Sequence, residues 1–207
     1  MIDALLQTVE DRRDDCVALT ADLVRIPSVN PPGSYYRPCI DLVGERLAKR
    51  DFALTFVRAE GAPGDTDDHP RWNLIARREG RSSGPTVHFN SHVDVVSPGE
   101  DWSQDPFGAA VIDGKLHGRG SCDMKGGLAS SIVAAEAVID TFPDFSGAIE
   151  ISATADEESG GFAGVAYLCE TGLISRDRVD HVIIPEPFHR DLVCIGHRGV
   201  LWSEIVT

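Results

Sequence analysis

The apolar positions of this chain change period along its length, and the changes mark out its elements. Between residues 3 and 25, Leu5, Leu6, Val9, Val17, Leu19, Leu23 and Val24 recur at helical spacing. Pro27 ends that stretch and Pro31-Pro32-Gly33 makes a loop, so one helix is predicted over 3–25 and a second over 36–50. Shorter apolar runs at 53–57, 72–76, 86–90, 148–153 and 181–184 read as strands. A helix is predicted over 126–142 between two of them, and a shorter one over 162–170 before the last. Asp113-Gly114 is a hairpin turn between Val111-Ile112 and Lys115-Leu116. Residues 61–70, rich in Gly, Pro and Asp, read as a mobile surface loop, and residues 200–206 as a further strand. Strands alternating with helices predict an α/β fold with a largely parallel sheet flanked by helices.

Composition narrows the function classes. With 207 residues, 42% of them hydrophobic, the chain has the apolar material for a packed core. It carries 33 acidic against 19 basic residues, a net charge of −14, which argues against nucleic acid as a partner because phosphate binding needs a basic face. No basic start precedes an apolar core at the N-terminus, and no run of about 18 apolar residues occurs, so neither a secretory signal nor a membrane span is expected. The five cysteines are odd in number and scattered, with no CxxC pair, which points to reduced thiols and a cytoplasmic location.

Four segments carry candidate chemistry. Thr86–Asp94 is an apolar strand emerging into His92-Val93-Asp94; two residues apart on an extended chain, His92 and Asp94 face the same side. That suits a metal-bound imidazole steadied by a carboxylate, or a plain surface pair at a strand end. His88, in mid-strand, reads as structural. Asp123, after Gly118-Arg119-Gly120-Ser121-Cys122 and before Lys125-Gly126-Gly127, is either a ligand or the N-cap of the helix that follows. Asp156-Glu157-Glu158 ends another apolar strand; three adjacent acids repel one another unless a cation or solvent compensates, and such carboxylates can divide metal binding from proton transfer. Glu186 ends the strand 181–184, fixed between Pro185 and Pro187, as a ligand or a turn residue. Each motif is ambiguous alone. Together they place an acid or imidazole after one strand after another, where sites of open α/β sheets collect.

In this combination the chain resembles the M20 metallopeptidase family, the group of acetylornithine deacetylase, succinyl-diaminopimelate desuccinylase, aminoacylases and glutamate carboxypeptidases. The resemblance runs from Ile26-Pro27-Ser28-Val29-Asn30-Pro31-Pro32-Gly33 through Asn73-Leu74-Ile75-Ala76, Ser91-His92-Val93-Asp94, Asp113-Gly114-Lys115-Leu116-His117-Gly118-Arg119-Gly120, Asp123-Met124-Lys125-Gly126-Gly127 and Asp156-Glu157-Glu158. The spacings match as well: 31 residues from His92 to Asp123, 34 from Asp123 to Glu157 and 28 from Glu158 to Glu186. The resemblance implies that His92 and Glu186 bind a first metal, that Asp123 bridges to a second held by Glu158, that Asp94 orients His92, and that Glu157 is the general base. It implies Zn²⁺, or Co²⁺ or Mn²⁺, two ions in the complete family site, and hydrolysis of the amide of a small N-acyl amino acid by a metal-activated bridging water. A dipeptidase or carboxypeptidase of the same family, or an inactive metal-binding module completed by a partner chain, is the alternative.

Family members are near twice this length and form homodimers through an inserted lid domain. The resemblance therefore implies a catalytic domain over 1–198, incomplete at its C-terminus, with 199–207 opening the lid or dimerisation domain. It also implies that a later histidine of the second metal is missing here, with His189 and His197 as remote substitutes.

Overall fold

The computed structural model of the protein describes residues 1–188 and 192–194. His189, His197, the strand expected at 200–206 and the domain boundary expected at 198/199 lie outside those residues.

Two helices, α1 (Ile2–Asp11) and α2 (Arg13–Val24), stand where periodicity predicts one. The chain bends between them at Arg12 (φ −99°, ψ 9°), whose guanidinium reaches Glu136 at 3.1 Å and also Asp140, both far along the chain. Helix α3 (Tyr36–Ala48) precedes strands β1 (Ala53–Arg58), β2 (Trp72–Glu79) and β3 (Ser82–His92). Strands β4 (Ala110–Ile112) and β5 (Lys115–His117) form the expected hairpin. Helix α4 (Lys125–Thr141) leads into β6 (Ser146–Thr154), and a 3-10 turn at Glu157–Ser159 follows. The helix expected at 162–170 is a π-type segment, Phe162–Ala166, kinked at Gly164 and continuing as α5 (Tyr167–Glu170); β7 (His181–Ile183) comes last.

The five-stranded sheet has the order β1-β2-β6-β3-β7. It is the expected α/β sheet flanked by helices, and mixed: β1, β3, β6 and β7 run in one direction, while β2 runs against its neighbours β1 and β6. The reason is connection length. Only Gly80 and Arg81 separate β2 from β3, and a parallel return needs a crossover of about a dozen residues or more. The two strands must therefore oppose each other, and β6 slots between them, parallel to β3.

Alternation along the strands sorts the two faces of the sheet. Leu74, Ala76, Ile149, Ile151 and Ala153 pack with Ile40, Val43 and Leu47 of α3 and with Leu128, Ile132 and Ile139 of α4. Each such buried Leu, Ile or Val side chain stabilises the fold by about 1.5–3 kcal/mol. The alternate positions include Asn73, Arg77, His88, Glu150, Ser152 and Thr154. His88 is buried between Glu150 (2.8 Å) and Ser152 (2.9 Å), a satisfied pairing that accords with its structural reading. Residues 61–70, expected as a mobile surface loop, are stitched by Asp65, which accepts hydrogen bonds from Arg58 Nε (3.0 Å), the Arg71 amide (2.9 Å) and the Gly61 amide (3.3 Å).

Candidate metal centre

Because β3, β6 and β7 are parallel and in register, their carboxyl ends meet at one edge of the sheet. His92 pairs with Thr154, and Phe89 with Ile183. The segments that leave those ends carry Asp94, Glu157, Glu158 and Glu186, and Asp123 enters from the loop before α4. Residues up to 94 positions apart in sequence thereby gather around one imidazole.

His92 is 2% exposed. Its Nε2 lies 3.1 Å from Asp123 Oδ1, 3.7 Å from Glu186 Oε2 and 3.9 Å from Glu157 Oε2. Among the described residues, His92, Asp123 and Glu186 form one group whose ligand atoms all lie within 4.8 Å of one another. A tetrahedral zinc site with bonds of about 2.0–2.2 Å separates its ligand atoms by roughly 3.3–3.6 Å, so this group has the right size and the right N/O donors. Glu158 is outside that group. Its neighbours are Asp123, His92, Asp94 and Glu157, whose charges all act on it. Among the described residues one such three-residue group is assembled.

Asp123 is not the helix cap that its position also allowed. Met124 holds the N-cap place of α4 with no capping side chain, and the Asp123 carboxylate turns to His92 instead. Lys125, fully buried, secures this segment: its Nζ donates to the carbonyls of Leu23 (2.9 Å) and Ile26 (2.7 Å), tying α4 to the end of α2. Gly127 permits the last approach. A Cβ there would run into the carbonyl oxygen of Pro185, so only glycine lets the Glu186 segment lie against the start of α4.

Asp94 differs in detail from its expected part. His92 Nδ1 lies 2.9 Å from the main-chain carbonyl of Asp94 and 3.3 Å from its carboxylate. The carboxylate itself accepts the amide N–H groups of Glu157 and Glu158, both at 3.1 Å, and Asn30 Nδ2 at 2.9 Å. Asp94 therefore holds the two glutamates as well as the imidazole. Asn30, which also donates to Ser159 Oγ at 2.9 Å, carries no role in the sequence reading; its place in the Ile26–Gly33 motif was the one signal available.

The electrostatics are those of a place short of positive charge. Burial disfavours the charged imidazole, but hydrogen bonds to Asp123 and Asp94 outweigh it and push the His92 pKa up to about 11. The His92 hydrogen bond holds Asp123 below its ordinary value. Burial, then the negative charge of Asp123, pushes Glu158 up to about 7, and burial with the Asp123 contact does the same to Glu186. Acids crowded this way ionise together only when a cation joins them.

Comparison with known proteins places the family and the fold. The profile of Peptidase family M20/M25/M40 matches residues 88–196, just over half of the chain. The chain is 37% identical over 199 residues to a succinyl-diaminopimelate desuccinylase of Methylobacterium radiotolerans, an alignment covering 93% of this chain and 48% of that protein. In fold it is similar to human carnosine dipeptidase 1 (TM-score 0.75, 24% identity, 89% of this chain and 41% of that one). It is also similar to a dinuclear metal-binding peptidase of the M20 family from Bacillus subtilis (TM-score 0.56, 17% identity, 84% and 43%). The chain spans about half the length of the curated relatives it matches. A matching profile over half its residues and a curated relative along nearly all of it lead to one conclusion: the chain belongs to peptidase family M20/M25/M40.

Proposed function

We propose that this chain carries the metal-binding part of a cytoplasmic amidohydrolase that cleaves small N-acyl amino acids, of the desuccinylase or deacetylase type. The observation that carries the proposal is the His92–Asp123–Glu186 group at the carboxyl ends of three parallel strands, with Glu157 beside it. His92, Asp123 and Glu186 would hold one ion, Zn²⁺ before Co²⁺ or Mn²⁺, and Asp123 with Glu158 would contact a second. A divalent ion held there supplies an acidified water, with a pKa lowered from 15.7 to about 7 for zinc, and polarises the substrate carbonyl.

The chain's own residues then supply the proton traffic. Glu157, half-exposed beside His92, is placed to take a proton from the attacking water and return it to the departing amine nitrogen. Asp94 keeps Glu157 in reach through its amide, and His92 in orientation through the main-chain carbonyl. Support for the acyl substrate comes from the desuccinylases at 36–37% identity.

The test supplies zinc to the purified chain, counts bound ions by native mass spectrometry, and assays N-succinyl and N-acetyl amino acids beside dipeptides. The expected result is retained zinc, turnover of an N-acyl amino acid, and a loss of roughly 10²–10⁴ in rate for Glu157→Gln with metal still bound. Failure to retain zinc, or full hydrolysis by Glu157→Gln, overturns the proposal. Zinc retention without turnover favours the metal-binding module completed by another polypeptide.

A further inference from the structure

The three consecutive acids at the end of β6 part ways. Glu157 and Glu158 lie by the imidazole cluster, but both carboxylate oxygens of Asp156 are engaged elsewhere. Tyr36 Oη donates to Oδ1 at 2.6 Å and Arg71 Nε to Oδ2 at 2.7 Å. All three residues are buried: Asp156 is 3% exposed, Arg71 4% and Tyr36 1%. Arg71 also donates its Nη1 to the main-chain carbonyls of Pro32 (2.8 Å) and His69 (2.9 Å) and lies 5.4 Å from the Tyr36 ring centre. A Cβ at Gly33 would collide with its guanidinium, so the loop at Pro31-Pro32-Gly33 packs directly on it. Arg71 thus ties the Pro32 loop and its own segment to Asp156.

The backbone explains what this join is for. Asp156 sits at φ 58°, ψ 26°, in the left-handed region, which a non-glycine residue holds when its surroundings impose it. That one residue turns the chain from the direction of β6 into the 3-10 turn bearing Glu157 and Glu158. The turn is gripped from two sides: Asp94 takes the two glutamate amides, and Arg71 with Tyr36 takes the side chain that precedes them. A buried ion pair is a weak source of stability, since desolvation offsets its attraction and apolar replacements often do as well. Its planar, directional hydrogen bonds do fix geometry.

We propose that Arg71 and Tyr36, acting through Asp156, are positioning residues that aim Glu157 and Glu158 at the metal centre. The inference rests on the hydrolase reading above and adds residues that touch neither metal nor substrate.

Tyr36→Phe, Arg71→Met, Asp156→Asn and the double variant Arg71→Met/Asp156→Asn are made in the full chain. Tyr36→Phe, which removes one hydroxyl, guards against simple misfolding by the larger change. Each variant is expected to keep its far-UV circular dichroism and to bind the first zinc as tightly as the parent, because His92, Asp123 and Glu186 lie on other segments. It is expected to lose about 10- to 100-fold in kcat with KM unchanged, the mark of a misplaced group rather than lost binding. The double variant loses no more than the worse single one, since both act by one route. The amide resonances of Glu157 and Glu158 shift in the metal-free chain, while those of Gly126 and Gly127 stay in place.

Unmoved glutamate amides with unchanged kcat overturn the proposal, and so do losses that multiply in the double variant. A fall in melting temperature alone, with kcat kept, assigns the trio to stability and also overturns it. Parent protein that binds zinc but hydrolyses nothing defeats the hydrolase reading instead, and the amide shifts then still decide whether Arg71 and Tyr36 set the turn.

Discussion

Two clusters of acids in this molecule differ in a single respect. Where α1, α2, α3 and α4 meet, Glu136 and Asp15 are paired with Arg46 and Arg12, and Asp140 with Arg12 and Arg50. Arg46 forks onto buried Glu136 with two bonds of 2.7 Å. There the Arg46 hydrogen bond holds Asp15 below the ordinary carboxylate range, and at Asp140 the two arginines outweigh burial in the same direction. At the carboxyl ends of β3, β6 and β7, the described cations acting on the acids are His92 and, at Asp123, the more distant charge of Arg119, and Glu158 and Glu186 are pushed up to about 7. The same side chains are a fastening in one place and an unfilled demand for charge in the other. What distinguishes a candidate site from an ion-pair network here is therefore the shortage of counter-charge, not the number of carboxylates.

The contrast can be broken most sharply at Asp123, which lies closest to His92. Asp123→Asn is expected to weaken zinc binding by more than about 100-fold, since even outer partners of a metal ligand are worth 10–100-fold. Competition against a chromophoric chelator measures it, and unchanged affinity would separate Asp123 from the metal. Glu136→Ala tests the other cluster. Removing the buried acceptor of Arg46 and Arg12 should cost about 1–3 kcal/mol in urea unfolding and leave zinc affinity alone.

The smallest effect, and the one that sets the two clusters side by side, is pH. Asp15 and Asp140 have lowered folded pKa values, so their contribution is present above the unfolded value near 3.8 and is lost as pH falls below it. Glu158 and Glu186 are raised from 4.5 to about 7, so the metal-free fold binds the extra protons and loses stability as pH rises from 4.5 through 7. His92, raised from 6.5 to about 11, adds a loss of the same sign above 6.5. Thermal melts across pH should therefore show the metal-free chain weakening on both sides of about pH 4–4.5, and zinc should remove the alkaline loss alone. An alkaline loss that zinc leaves intact would mean that these acids do not meet the metal.

Strand positions were legible because a buried strand leaves an apolar run, and the candidate site residues stood out because each follows such a run. His92, Glu157, Glu158 and Glu186 sit at the exits of β3, β6 and β7 for that reason. The break at Arg12 was not legible, since Arg12-Arg13-Asp14-Asp15 suits a helix and only the distant Glu136 and Asp140 draw Arg12 out of it. Asp156 was indistinguishable from its two neighbours. Its partners Tyr36 and Arg71 lie 120 and 85 positions away, and no local pattern marks them.

The sequence by itself determined the α/β class and marked the candidate ligands and their order, because hydrophobic period and short motifs are local properties. The tertiary structure alone decided the mixed sheet, through the two-residue link that forces β2 and β3 to oppose with β6 between them. It alone decided that three carboxyl ends align to bring His92, Asp123 and Glu186 together, and that of three adjacent acids one is buried against Arg71 and Tyr36 while two face the centre. Those outcomes depend on pairing between residues far apart in the chain, and that pairing exists only once the core has closed.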